Sequence, residues 1–333
     1  MSGTLPRIAV LDTGARESNT PINVLFELTH RCNLRCFHCY VIADKRPELD
    51  THEVRGVLDQ LAEAGTLFIT FTGGEIMLRQ DLFEVLEHAR DRHFAIRLFT
   101  NGTLIDEEAA DRIARIKPVD VGVSVYGPTA EIHEAVTKAR GSFDKSVRAL
   151  QLLHDRGIMT HLKCVLMEEN VNVRGGVGDL ADELGAYAQF DPQVTPRNDG
   201  DLSPTSHSID DTELSNVVHA SQLRGALDLD TALCAAGRDS ASISPAGDVL
   251  PCVQWPMPIG NLRQQPFSEI WSSPEASAIR DLTMSKLDTC RDCPDLGFCS
   301  LCLGLNYVEN GDATRPSSSV CRMARARKKG AEG

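Results

Sequence analysis

Residues 23–40 read NVLFELTHRCNLRCFHCY. Val24–Thr29 is a β-rich run, and Cys32, Cys36 and Cys39 follow it with three and then two residues between them. Three thiolates just past a strand end can bind three corners of a cubane iron–sulfur cluster and leave the fourth iron free. A zinc knuckle is the competing reading. Structural zinc takes four ligands, and His38 could serve as the fourth. It adjoins Cys39, however, which makes simultaneous tetrahedral ligation awkward. An open metal position suits substrate binding and catalysis.

The strand at Val24 begins a regular alternation. Further strand candidates are Leu67–Phe71, Ala95–Thr100, Val119–Val125, Thr160–Leu166 and Gln189–Val194. Helical spacing lies between them, at Thr51–Ala64, Asp81–Arg92, Asp106–Ile116, Thr129–Thr137, Phe143–Arg156 and Val173–Leu184. Thr51 reads as a cap for the first helix, whose apolar stripe is Val54, Val57, Leu58 and Leu61. Gly65 and Gly157 sit where helix stops belong. Alternating strands and helices predict βαβ units and a parallel sheet. The fold class is α/β, a partial (β/α)6 TIM-like barrel with ligands at the carboxyl ends of its strands.

Several strand ends carry polar or glycine-rich residues. The second ends in FTGGEIML, with Gly73, Gly74 and Glu75. Glycines there admit close backbone approach, and a carboxylate beside them can accept from an ammonium. The third ends in TNG, residues Thr100, Asn101 and Gly102, and the fourth carries Ser124 and Tyr126. Tyr126 reads equally as pocket wall or packing. On the fifth, Lys163 and Cys164 face opposite ways, and Cys164 reads as a small buried hydrophobe.

The 333 residues suffice for about two domains. With 42% hydrophobic and 24% charged residues, global disorder is excluded. Net charge is 34 − 47 = −13, which argues against a nucleic-acid partner. The basic tail (Arg322, Arg325, Arg327, Lys328, Lys329) reads as a solvated end. No apolar run is long enough for a membrane span, and no signal peptide is visible, so the expected location is the cytoplasm. There, clustered cysteines are metal ligands rather than disulfides.

The expected organisation is a lead-in over 1–22 with a short strand at Ile8–Leu11, a barrel over 23–196, and a linker with one helix (Asp211–Arg224) over 197–232. A Cys-, Gly- and Pro-rich domain over 233–325 and the tail over 326–333 follow. The C-terminal third holds Cys234, Cys252, Cys290, Cys293, Cys299, Cys302 and Cys321. Cys234 precedes Cys252 with Gly247 between, and Cys290–Cys302 spells C-x2-C-x5-C-x2-C. Such a segment builds little core and needs metal as a staple. Seven cysteines are an awkward count for two four-ligand zinc sites.

CNLRCFHC resembles the CxxxCxxC signature of the radical S-adenosylmethionine (radical SAM) superfamily, and GGE, TNG and Ser124 follow in that family's order. The resemblance implies a [4Fe–4S] cluster on Cys32, Cys36 and Cys39 whose open iron chelates S-adenosylmethionine. It also implies a cofactor pocket of Gly73, Gly74, Glu75, Thr100, Asn101, Ser124 and His38, with Glu75 on the methionine amino group. His38 stands where the family usually has an aromatic residue. The last seven cysteines resemble the SPASM extension, with two auxiliary iron–sulfur clusters. By that resemblance Cys290, Cys293, Cys299 and Cys321 bind one, and Cys234, Cys252 and Cys302 bind the other, which lacks a fourth cysteine. Cys164, Asp228 or Asp230, water or the substrate are the candidates for its fourth position.

The implied reaction is reductive cleavage of S-adenosylmethionine to a 5′-deoxyadenosyl radical that takes hydrogen from a substrate; no residue is assigned to a catalytic step on that substrate. The implied substrate is a ribosomally made peptide, with a flavodoxin- or ferredoxin-type electron donor. Only 31 residues precede Cys32, so a separate leader-binding protein is the expected partner. The alternatives are a tetrapyrrole-type oxidative decarboxylase or dehydrogenase of the same superfamily and, from another class, a non-catalytic zinc module.

Overall fold

A computed structural model describes residues 13–218, 230 and 232–332. The predicted strand at Ile8–Leu11 lies outside the described residues. Six strands run in chain order: β1 (Asn23–Thr29), β2 (Phe68–Gly73), β3 (Ala95–Thr100), β4 (Asp120–Ser124), β5 (Thr160–Val165) and β6 (Tyr187–Asp191). Each pairs in parallel with the next. The last strand starts two residues earlier than predicted and is largely exposed, while the apolar end of the predicted run, Val194, buries in the following loop.

The connecting helices are α1 (Thr51–Glu63), α2 (Leu82–Asp91), α3 (Glu107–Ile116), α4 (Ala130–Thr137), α5 (Ser142–His154) and α6 (Arg174–Glu183). The cap of α1 is Asp50 rather than Thr51. The Asp50 carboxylate accepts from Glu53 N at 2.8 Å while Glu53 accepts from Asp50 N, a reciprocal capping box. The Thr51 hydroxyl turns to Asp81 instead, at 2.8 Å.

The sheet does not stop at β1. In β7 (Ser240–Ile243) the C-terminal segment lies parallel to the free edge of β1, and β8 (Asp248–Leu250) and β9 (Gly260–Asn261) continue it antiparallel. The order is β6-β5-β4-β3-β2-β1-β7-β8-β9, an open, barrel-like sheet. This corrects the expectation of a C-terminal domain with little core. Trp255, Phe267, Ile270 and Trp271 join the same apolar cluster as Phe26, Leu58 and Phe71. The segment extends an existing hydrophobic face and so needs little of its own. Phe267 begins α8 (Phe267–Trp271), whose first N–H bonds Gln60 of α1 at 2.7 Å.

The helix expected over Asp211–Arg224 is seen as α7 (Asp211–Val217); residues 219–224 lie outside the described ones. Further on come α9 (Pro274–Arg280), α10 (Asp288–Arg291), α11 (Leu303–Asn310) and α12 (Ser318–Glu332). The basic C-terminus is therefore no solvated end. In α12, Val320, Met323, Ala324 and Ala326 are buried, and Met323 and Ala326 pack against Ile209 and Leu214. Its cations are used: Arg322 bonds Asp211 and the Ile209 carbonyl, and Lys328 bonds Asp295 at 2.8 Å. Among the described residues no helix is long and apolar enough to cross a membrane.

Candidate functional site

The loop carrying Cys32, Cys36 and Cys39 stands on the carboxyl ends of β1–β4. Two glycines set its height. Gly73 has φ +131°, and a Cβ there would lie 2.2 Å from the Thr29 carbonyl; one on Gly74 would lie 2.3 Å from that of Arg31. Without side chains, Gly74 N donates to Thr29 O at 2.7 Å and Glu75 N to Arg31 O at 2.8 Å. The close approach anticipated at these glycines is thus made by the protein's own cysteine loop.

Glu75 is fully buried. Its carboxylate accepts from Met77 N at 3.0 Å, the Thr100 hydroxyl at 2.7 Å and Asn101 N at 2.7 Å. Three of about four acceptor positions on a carboxylate are therefore taken, although burial still pushes its pKa up. Asn101 links this layer to the loop: Nδ2 donates to Asn33 Oδ1 at 2.9 Å and points at the Cys32 sulfur at 3.8 Å. The Asn101 carbonyl is held by Ser146 at 2.7 Å.

The three thiols lie near enough to influence one another. Cys36 is pushed up to about 12 by burial and by its neighbours Cys39 and Cys32, and Cys39 is raised mainly by burial. Donors lie around them: Leu34 N reaches Cys32 at 3.4 Å, the Val41 amide lies near Cys39, and the Tyr126 hydroxyl lies near Cys36. Thiols raised by burial yet ringed with donors gain by binding metal as thiolates.

Tyr126, ambiguous in the sequence, is 8% exposed and packs in one cluster with Cys36 and Phe37, so it is a buried support under the loop. His38 is half-buried with its ring edge-on to Tyr126 (centroids 4.8 Å apart), its Nδ1 is unpartnered, and desolvation pushes its pKa down to about 4. Cys164 is buried and receives Asn170 Nδ2 at 3.6 Å. Sequence reasoning missed Glu27, Tyr40 and His207. Tyr40, next to Cys39, donates to the buried Glu27 carboxylate at 3.0 Å. His207 stacks on Phe37 of the loop with ring centroids 4.0 Å apart. A signal for Glu27 was present, since a carboxylate in the otherwise apolar run of β1 has to meet a partner.

The remaining seven cysteines separate into two groups. Cys290, Cys293, Cys299 and Cys321 line one small cavity with Leu296, Leu301 and Ala324. Burial and the other three thiols push Cys290 up to about 11. Cys302 is pushed up to about 11 by burial and by Cys252 and Cys234. Backbone N–H groups of Val253 and Gln254 bond Cys252, and those of Gly304 and Leu305 bond Cys302. Among the described residues, no three His, Cys, Asp or Glu side chains converge as ligands of a single metal ion. Asp228 lies outside the described residues; Asp230 lines a different cavity with Arg238 and Arg280. The donor chemistry, thiols in groups with amide donors aimed at them, fits iron–sulfur clusters.

Residues 26–173 match the radical SAM superfamily and residues 234–294 the SPASM iron–sulfur cluster-binding domain. The chain is 29% identical over 331 residues to the antilisterial bacteriocin subtilosin biosynthesis protein AlbA of Bacillus subtilis, covering 90% of this chain and 71% of that one. It is 32% identical over 274 residues to the mycofactocin maturase MftC of Mycobacterium tuberculosis, covering 76% and 69%. It is 26% identical over 331 residues to the AdoMet-dependent heme synthase of Methanosarcina barkeri, covering 89% and 95%. The fold is similar to that of Streptococcus suis SuiB bound to its precursor peptide SuiA, with TM-score 0.69, 15% identity and coverage of 95% and 80%. The chain belongs to the radical SAM superfamily and carries the SPASM iron–sulfur domain.

Proposed function

We propose that this protein is a radical SAM peptide maturase. The observation that supports it most is the combination of three neighbouring thiols on the strand-end loop with a likeness, over most of the chain, to the maturases AlbA and MftC. When bound, the [4Fe–4S] cluster and S-adenosylmethionine supply a 5′-deoxyadenosyl radical, the acceptor for a substrate hydrogen atom.

The protein's part is to bind, orient and exclude water. In this reading Cys32, Cys36 and Cys39 hold the cluster. Glu75 offers its remaining acceptor position to the methionine ammonium and fixes Thr100 and Asn101 beside it. Gly73 and Gly74 keep the loop against the strand ends, and Ser124 and His38 border the adenosine. His38, neutral above about pH 4, contributes a hydrogen-bonding nitrogen and no charge. Cys290, Cys293, Cys299 and Cys321 hold one auxiliary cluster, and Cys234, Cys252 and Cys302 the other. The domain bounds follow the same reading, with the barrel over 23–196 and the auxiliary domain from 233. The reaction takes place in the cytoplasm, with a flavodoxin- or ferredoxin-type donor and a separate leader-binding protein as partners.

The likeness to the heme synthase favours one second reading, oxidation of a tetrapyrrole side chain. Anaerobically reconstituted protein with S-adenosylmethionine and a reductant decides between them. A mass change in a short precursor peptide encoded beside this protein, matched by 5′-deoxyadenosine, supports the maturase. Turnover of a tetrapyrrole carboxylate with no change in the peptide would overturn it.

A further inference from the structure

The group formed by Cys234, Cys252 and Cys302 has three thiols for a cubane's four irons. We infer that the side-chain oxygen of Gln254 is its fourth ligand. The inference rests on the proposed cluster at these three cysteines. Gln254 Oε1 lies 3.6 Å from the Cys302 sulfur.

Its aim is built into the backbone. Trp255 N bonds Cys252 O at 2.9 Å, closing a tight turn around Gln254, and Trp255 is 1% exposed, so the turn is anchored in the core. Cys302 caps α11, and Gly304 in the first turn of that helix lies against the Gln254 backbone. A Cβ on Gly304 would stand 2.5 Å from the Gln254 carbonyl oxygen. The absent side chain therefore lets the Gln254 turn and the Cys302 helix start meet.

Among the described residues, two of the other candidates are engaged elsewhere: Cys164 is buried in β5 with Asn170, and Asp230 lies among Arg238 and Arg280. The Tyr40 hydroxyl is used on Glu27. A neutral amide oxygen is a harder and weaker partner for iron than a thiolate, which makes this corner the exchangeable one. It also faces the catalytic loop, because Gln254 lines a small cavity with Tyr40, Thr195 and Asn198, and Tyr40 follows Cys39. An incoming substrate heteroatom could displace the amide there without disturbing the three thiolates.

The test uses reduced holoenzyme saturated with S-adenosylmethionine, so that the open iron at the catalytic loop is already occupied. Electron–nuclear double resonance in oxygen-17-enriched water then detects water on the remaining non-cysteine iron. The wild type should show no such coupling, Gln254→Ala should acquire it, and Gln254→Glu should lose it again, with iron and sulfide contents unchanged in all three. A water coupling in the wild type, or none in Gln254→Ala at full iron content, overturns the assignment to Gln254. If changing Cys234, Cys252 and Cys302 together to Ala leaves iron and sulfide at wild-type levels, the cluster reading fails first and takes this inference with it.

Discussion

The two cysteine regions are held in opposite ways. Cys32, Cys36 and Cys39 lie within eight residues, on a loop propped from below by Gly73, Gly74 and Asn101, and Cys32 is exposed. The C-terminal seven come from segments spread over residues 234–321 and meet only because β7 docks on β1 and α12 folds back across the rest. The first region is a local motif on a rigid scaffold that exists without it. The second is a long-range assembly whose ligands are themselves part of the fold. Metal should matter to chemistry in the first and to local structure in the second.

The sharpest way to break this contrast is to change Cys32, Cys36 and Cys39 together to Ala. We expect all cleavage of S-adenosylmethionine to vanish while the melting temperature and the C-terminal iron stay near wild type; 5′-deoxyadenosine produced at the wild-type rate would refute the first half of the contrast. The mirror experiment changes Cys290 and Cys321 to Ala. Hydrogen exchange should then accelerate over α12 and over α7, which it holds through Arg322 and Asp211, with β1–β5 still protected. Exchange rising equally in the barrel strands would mean that the C-terminal cluster staples the whole molecule.

A smaller effect sharpens the role of the scaffold. Glu75→Ala removes a charge-assisted acceptor worth about 1.5–3 kcal/mol to a bound ammonium, so S-adenosylmethionine should bind about 10- to 150-fold more weakly. An unchanged dissociation constant would show that Glu75 serves only Thr100 and Asn101. The smallest effect is one of pH. Burial pushes His133, behind Tyr126, down to about 4, below the ordinary histidine value of about 6.5. The unfolded chain therefore takes up this proton first as pH falls, and stability should decline from about pH 6.5 toward 4 with a slope of up to about one proton. Denaturant midpoints at pH 7 and 4.5 should differ less in His133→Asn; an equal difference would assign the loss to other groups.

The contrast also explains what could be read from the sequence. The six strands, their helices and the cysteine loop were legible because each is local: a period, a stop glycine, a fixed spacing. Glu75 was legible as a carboxylate at a strand end, but its burial beneath Thr100 was not, since that depends on the register of β2 against β3. The cap on α1 went to Asp50 because its carboxylate and Glu53 satisfy each other's backbone groups, which Thr51 cannot do while bonding Asp81. The C-terminal core was underestimated because its apolar residues are few in sequence, yet they complete a face that β1 and α1 already present. The basic tail looked solvated because its partners, Asp211 and Asp295, lie far away in the chain.

The central claim is that ten of the eleven cysteines, all but Cys164, form three separate metal-binding groups. Quantitative iron and acid-labile sulfide analysis with Mössbauer spectroscopy on anaerobically reconstituted protein tests it most directly. Three [4Fe–4S] clusters predict about twelve irons and about twelve sulfides per chain, falling to about eight of each when Cys32, Cys36 and Cys39 are changed to Ala. Zinc without sulfide, or an iron content that the triple change leaves untouched, would contradict it.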